Sequence, residues 1–269
     1  MKLKNIEGIS EFNIKHRMQR RHGISAFVRL KDEADFVIPA LESIFPWVDE
    51  IIIALQGKQG DDTDNIVNAW AWDKWAGLDE STDRHIQIHV VEYPFDSVPN
   101  GPGHDAQKRN SVYERAYFYN WCVSQTSCEY VLKWDGDMVA HEWLGQRLIA
   151  QTAKRIDGTN FCGTEIVPGF RVSKLHPYTG TETRLFRAAC GRYQTGIMCE
   201  TLNYIGGTVE MLERPGYLHL KYCKRPESMR TAWPENWKEI VHFLKIAQRS
   251  EPGDEYGGAI PHYLSGVAL

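Results

Sequence analysis

Val131-Leu132-Lys133-Trp134-Asp135-Gly136-Asp137-Met138 is the stretch on which the reading of this chain turns. An apolar run that begins at Glu129 ends in two carboxylates on either side of a glycine. The run has the length and composition of a buried strand. Two like charges this close disfavour each other unless something offsets them. A divalent cation does so, and carboxylate oxygens suit Mg²⁺ or Mn²⁺. Such an ion would in turn hold a diphosphate. An acidic turn capping the next helix is the plain alternative.

Working outward from that turn, the preceding chain alternates strands and helices. Residues 24–30 and 50–55 are short apolar runs, and 85–93 alternates apolar with polar residues as a strand does. Helical spacing runs over 33–45, where Pro46 ends it, and again over 63–76 and 105–126. The stretch 96–104 holds two Pro and two Gly and reads as a loop. This order predicts an α/β fold: a mostly parallel, Rossmann-like sheet flanked by helices. Ligands in such sheets sit beyond the carboxyl ends of the strands, which points to 30–33, 55–62, 94–104 and 135–137. Beyond Asp137 the pattern predicts a helix over 141–156, then short strands broken by Gly and Pro over 160–222. A hairpin is expected near Gly206-Gly207, helices over 226–248, and a loosely held tail over 251–269. The expected organisation is a basic extension over 1–22 and two halves, 23–137 and 138–269, the second with mixed strands and helices, within one domain.

Composition bounds the function. The 269 residues are 42% hydrophobic and 25% charged, with a net charge of −4. These values exclude collagen, coiled coil and disorder, and they argue against a nucleic-acid partner held by net charge. No apolar run reaches the ~20 residues of a membrane span, and no signal peptide is read. Six cysteines without a CxxC pair or zinc spacing read as reduced thiols, so a cytoplasmic location is expected. The first 22 residues carry six Lys and Arg against Glu7 and Glu11. Peripheral contact with an anionic membrane is one reading of that start, and a solvated extension is the plainer one. Nine Trp suggest either core or sugar-stacking surfaces, and Trp143, Trp233 and Trp237 fall in the second half.

Four segments together resemble the GT-A glycosyltransferases, in particular their family 2-like members: Phe27–Glu33 (FVRLKDE), Ala40–Ile53 (ALESIFPWVDEIII), Lys108-Arg109-Asn110, and Val131–Met138 with its D-x-D motif. Thr183–Arg187 (TRLFR) is a weaker match. The resemblance implies a glycosyltransferase that moves a sugar from a UDP- or GDP-linked donor to a hydroxyl of a glycan or lipid-linked saccharide. It implies Asp137 as the main metal ligand, Asp135 near ribose and metal, and Asp32 and Glu33 near base and ribose. Lys108 and Arg109 would face the diphosphate, and His219 would complete a Mn²⁺ or Mg²⁺ site. Lys221, Lys224 and Arg225 follow closely and would clamp the leaving phosphates. The family's carboxylate after the second strand is missing, so Gln56, or Asp61 and Asp62, would meet the base. For an inverting transfer a carboxylate takes the acceptor proton; Glu200 is the expected base, with Glu182 and Glu165 behind it. A sugar nucleotidyltransferase, or a non-catalytic glycan-binding module of the same fold, are the alternatives.

Overall fold

The structure is a computed structural model that describes residues 20–77, 85–98, 111–174, 176–196, 199–204, 207–225 and 254–265. Lys108, Arg109, Trp233, Trp237, the expected helices over 226–248 and most of the basic extension lie outside these residues.

The apolar runs become the middle of a seven-stranded sheet. β1 (Arg21–Leu30), β2 (Glu50–Gln56), β3 (Gln87–Tyr93) and β4 (Cys128–Asp135) are parallel and lie in the order β3-β2-β1-β4. β2 is buried along its whole length, which explains its unbroken EIIIAL run. The sheet continues through β9 (Glu182–Arg187), antiparallel to β4, then β6 (Gly158–Phe161) and β12 (Val209–Met211). Strands from both sides of Asp137 thus share one sheet.

Side chains of successive strand residues point to opposite faces, and the two faces carry separate cores. Ala26, Val28, Ile51, Ile53, Leu132 and Trp134 pack with α1 (Val37–Ile44), α2 (Thr63–Ala76) and α4 (Glu142–Ala153). Phe27, Ile52, Ala54 and Val131 pack with α3 (Arg115–Gln125) and with the hairpin of β10 (Gly191–Thr195) and β11 (Glu200–Tyr204). Residues 115–123 of α3 are all buried. A smaller sheet, β5 (Met138–Ala140), β13 (Tyr217–His219), β7 (Gly163–Val167) and β8 (Arg171–Val172), covers a third core around Phe36, Ile166 and Leu218.

Several expectations are corrected. The first strand begins at Arg21, and Arg20 is no solvated extension: its guanidinium donates to Thr126 Oγ1 at 2.7 Å, Cys128 O at 2.9 Å and Val123 O at 3.0 Å. Residues 33–36 are a turn, and the helix starts only at Val37. Residues 111–114 are also non-helical, with Glu114 N donating to Ser111 O, so α3 starts at Arg115. The strands on either side of Gly206-Gly207 do not pair with each other; β11 joins β10 and β12 joins β6. Part of the tail is packed: Val172 N donates to Asp254 O, and Leu264 is buried in the third core. Among the described residues no helix is long and apolar enough to cross a membrane, and no disulfide joins the six cysteines.

Candidate active site at the ends of β1 and β4

The parallel order reverses between β1 and β4: the chain builds outward from β1 to β2 and β3, then returns to β1's other side. That is the switch point at which such sheets leave a crevice. β1 and β4 pair so that Arg29 lies opposite Asp135, and both strands end there. The turn after β4 is held by its own residues. Trp134 Nε1 donates to Met138 O at 2.9 Å, and Leu220 N donates to Asp137 O at 2.8 Å. Gly136 is required by space. A Cβ there would lie 2.5 Å from Leu30 Cδ2 and 2.9 Å from Glu33 Cβ.

The turn after β1 reverses at Asp32, which adopts φ 54°, a left-handed conformation that Asp tolerates. The next backbone N–H groups face the loop after β2. Those of Asp32, Glu33 and Ala34 donate to Gln59 Oε1 at 2.9 Å, Thr63 Oγ1 at 2.7 Å and Asp61 Oδ2 at 3.1 Å. Asp32 itself is fully buried and accepts from Gly60 N. Burial raises its pKa, with the Gly60 hydrogen bond opposing. The structure therefore shows Asp32 clasping the loop 57–62. Gln56 is also engaged: its amide nitrogen donates to Ser97 O at 3.3 Å and its Oε1 accepts from Ser97 Oγ at 2.9 Å.

Cations of the chain meet both carboxylates of the acidic turn. Asp135 Oδ1 accepts from Arg29 Nε at 2.6 Å, and Oδ2 lies 3.6 Å from Arg184 Nη1. Burial pushes against the Asp135 charge, but Arg29, Arg184 and Lys133 outweigh it and lower the pKa. Asp137 Oδ2 lies 2.6 Å from Lys224 Nζ, and Oδ1 lies 3.4 Å from His219 Nε2. Lys224 Nζ also lies 2.6 Å from Glu33 Oε2. Burial pushes the Glu33 carboxyl up to about 8 against the pull of Lys224, with Asp137 adding to the rise.

His219 is placed by strand register. β13 pairs with β5 and β7 so that His219 lies opposite both Met138 and Glu165. Its Nδ1 lies 2.9 Å from Glu165 Oε2. Burial alone would lower its pKa, but Asp137 and Glu165 raise it to about 9, so the ring is an imidazolium near neutral pH. Lys221 sits beside it, its pKa lowered by burial while Asp137 and Glu165 oppose.

A second run of charges leads from Asp135 to Glu200. Arg184 Nη2 lies 3.4 Å from Glu182 Oε2, and Lys133 Nζ lies 3.0 Å from Glu182 and 3.3 Å from Glu200 Oε1. The Glu200 side chain is 6% exposed, and its Oε2 has no hydrogen-bond partner among the described residues. Burial raises its pKa, but Lys133, Arg115 and Arg29 together lower it. Glu182 is held down to about 2 by Arg184 and Lys133 against burial.

The structure thus brings together Glu33, Asp135, Asp137, His219 and Lys221, and ties Glu200 to them through Lys133 and Arg184. Arg29, Lys133 and Arg184 were assigned no part by sequence reasoning. Their signal was available: each is a cation beside apolar residues of a short strand, in VRL, LKW and TRLF, and buried charges are found paired or hydrogen-bonded. Trp143 is not a bare stacking surface, since the Arg214 guanidinium lies 4.1 Å over its ring. The exposed indoles among the described residues are Trp72 and Trp75, on α2 and with ring centroids 5.1 Å apart.

The metal expectation for Asp135, Asp137 and His219 does not fit this arrangement. A cation site needs oxygens or nitrogens turned toward a common point and not already neutralised. Here three of the four oxygens of the two aspartates face an arginine or lysine of the protein, and the fourth, Asp137 Oδ1, faces His219 Nε2 at 3.4 Å. Among the described residues no group of three or more His, Cys, Asp or Glu is placed to hold a metal ion.

No family model matches the chain. A comparison with curated proteins finds no match. Among solved structures it is similar to TarS of S. aureus, residues 1–349, at 14% identity and TM-score 0.46 over 84% of this chain and 72% of that one. The same TarS segment has been solved in complex with UDP-GlcNAc. It is also similar to a glucosyl-3-phosphoglycerate synthase from Mycobacterium tuberculosis in complex with UDP, at 18% identity and TM-score 0.34. There the match covers 63% of this chain and 50% of the synthase. A third similarity is to a 4-diphosphocytidyl-2C-methyl-D-erythritol synthase from Anaerococcus prevotii, at 16% identity and TM-score 0.33 over 65% and 72% of the two chains.

Proposed function

We propose that this protein is a glycosyltransferase that moves a sugar from a nucleoside-diphosphate donor to a hydroxyl of a glycan or lipid-linked saccharide. The observation that carries the reading is the Asp135-Gly136-Asp137 turn at the carboxyl end of β4, beside the end of β1 and across the switch point of the sheet. The donor's diphosphate would approach the cations gathered there, and Glu33, Asp135 and Asp137 would set their positions. A UDP or a GDP sugar would suit the site, with the loop 56–62 near the base.

In the transfer, the acceptor oxygen bonds to the anomeric carbon while the bond from that carbon to the diphosphate oxygen breaks. The bonding pair leaves with the nucleoside diphosphate, and the hydroxyl proton passes to a carboxylate. Glu200 supports that role because Lys133 fixes one of its oxygens and the other has no hydrogen-bond partner among the described residues. Its lowered pKa makes it a weak base, suited to accept a proton late, as charge develops on the acceptor. Lys108 and Arg109 remain proposed contacts of the diphosphate. We further propose a cytoplasmic enzyme with at most peripheral membrane contact.

The test is product analysis with UDP- and GDP-sugars and saccharide acceptors. Release of a nucleoside diphosphate with a glycosylated product supports the reading. Pyrophosphate released from a nucleoside triphosphate and a sugar phosphate would replace it with nucleotidyl transfer. Glycan binding with no turnover and no nucleotide binding would leave only a binding module. Glu200→Gln should bind donor normally and slow transfer by at least the ~10²-fold of a lost general base; an unchanged rate removes Glu200 from the role.

A further inference from the structure

We infer that the ammonium of Lys224 is the resident cation of this site, standing where a divalent metal ion would otherwise join Glu33 and Asp137. The geometry is that of a bridging ion. Nζ lies 2.6 Å from Glu33 Oε2 on the turn after β1 and 2.6 Å from Asp137 Oδ2 on the turn after β4. The Lys224 side chain is 1% exposed, and its two partners are 13% and 6% exposed. No loose surface lysine would be held so. It is fixed from both sides: Leu220 N donates to Asp137 O at 2.8 Å, and the next residue, Arg225, pairs with Asp35 through its side chain and donates its backbone N–H to Asp35 Oδ2 at 2.8 Å.

The other oxygen of Asp137 faces His219 Nε2 at 3.4 Å, and that ring is held by Glu165. A metal ion reaching Asp137 would therefore have to approach between an ammonium and an imidazole. Mutual repulsion of cations at such separations is large when the groups are out of water. The inference deepens the glycosyl-transfer reading and rests on it in one respect, that the leaving diphosphate arrives here. Charge on that leaving group would be offset by Lys224 with Lys221, in the way fixed cations stabilise a developing anion.

The experiment uses Mn²⁺ alone and needs no substrate, so it fails or succeeds separately from the transfer assay. Bound Mn²⁺ is counted by electron paramagnetic resonance, and the melting temperature is compared in EDTA and in about 1 mM Mn²⁺, since a ion that binds the native state raises its stability. The wild-type protein is expected to bind no Mn²⁺ and to melt at the same temperature in both. Lys224→Ala, which leaves Glu33 and Asp137 facing each other, is expected to melt lower in EDTA, to bind one Mn²⁺ and to regain stability with it. Lys224→Arg should not bind it. Stoichiometric Mn²⁺ on the wild type overturns the inference, and so does a folded Lys224→Ala that gains no Mn²⁺. Should Lys224→Ala fail to fold, the wild-type measurement decides alone. The expected Mn²⁺ results with no nucleoside diphosphate released would sink the transferase reading and leave the resident cation standing.

Discussion

Lys133 sits at the centre of a buried charge run, and its removal has a calculable consequence. Its Nζ lies 3.3 Å from Glu200 Oε1, and both side chains are 6% exposed. At that separation and an effective dielectric constant of about 20, the attraction is about 5 kcal/mol. Lys133→Met keeps most of the stem's volume and removes the charge. Glu182, whose side chain is 45% exposed, keeps Arg184 and water as partners. Glu200 is left buried with its nearest cation gone. Deleting one partner of a buried pair costs roughly 3–5 kcal/mol. For a chain of this size that is a fall of roughly 10 °C in melting temperature. Removing both charges together should cost far less, because well-packed neutral residues of similar volume replace buried ion pairs at little loss. Urea denaturation of wild type, Lys133→Met, Glu200→Gln and the double variant closes the cycle. The expected coupling is at least about 2 kcal/mol, with the double variant more stable than Lys133→Met alone. Additive single effects would refute the claim that this pair is desolvated and interacting. Lowering the pH should also narrow the loss in Lys133→Met, since a protonated Glu200 no longer needs the lysine.

Gly136→Ala should destabilise the protein by about 1–3 kcal/mol through overpacking against Leu30 and Glu33, with a parallel loss of donor binding; a variant as stable as wild type would show that the two turns are not in contact. The His219 charge, with a pKa of about 9 against an ordinary value of 6.5, adds stability that is complete below pH 6.5 and lost as pH rises through 9. The stability gap between wild type and His219→Gln should shrink by roughly 3 kcal/mol over that window, and parallel pH curves from chemical denaturation would contradict the imidazolium.

The central strands and the acidic turn were legible because their signals are local. Residues 51–55 (IIIAL) are apolar throughout because both faces of β2 are covered, and α2 has the bounds that helical spacing predicts over 63–76. Helix starts were less legible. Residues 33–36 have helical apolar spacing, yet Thr63 and Asp61 hold them as a turn through contacts about 30 residues away. The second half is obscure for the same reason: β12 reaches back to pair with β6, and β9 inserts antiparallel between β6 and β4. At the site, the two aspartates could be read from adjacency. That Arg29, Arg184 and Lys224 neutralise them could not, because the three come from separate stretches and meet the turn only in the folded chain.

The three-residue strand Tyr217–His219 is zipped to β5 on one side and β7 on the other. Side chains alternate along a strand, so one residue gained or lost there would turn the His219 ring to the opposite face and pull Lys224 off its two carboxylates. Length variation among descendants of this chain is therefore forbidden between Tyr217 and Lys224. It is open at places such as the exposed bend near Gly180, where an added side chain meets nothing within 4 Å. The spacing of five residues from the imidazole to the ammonium is a ruler that any lineage keeping this chemistry must keep unchanged.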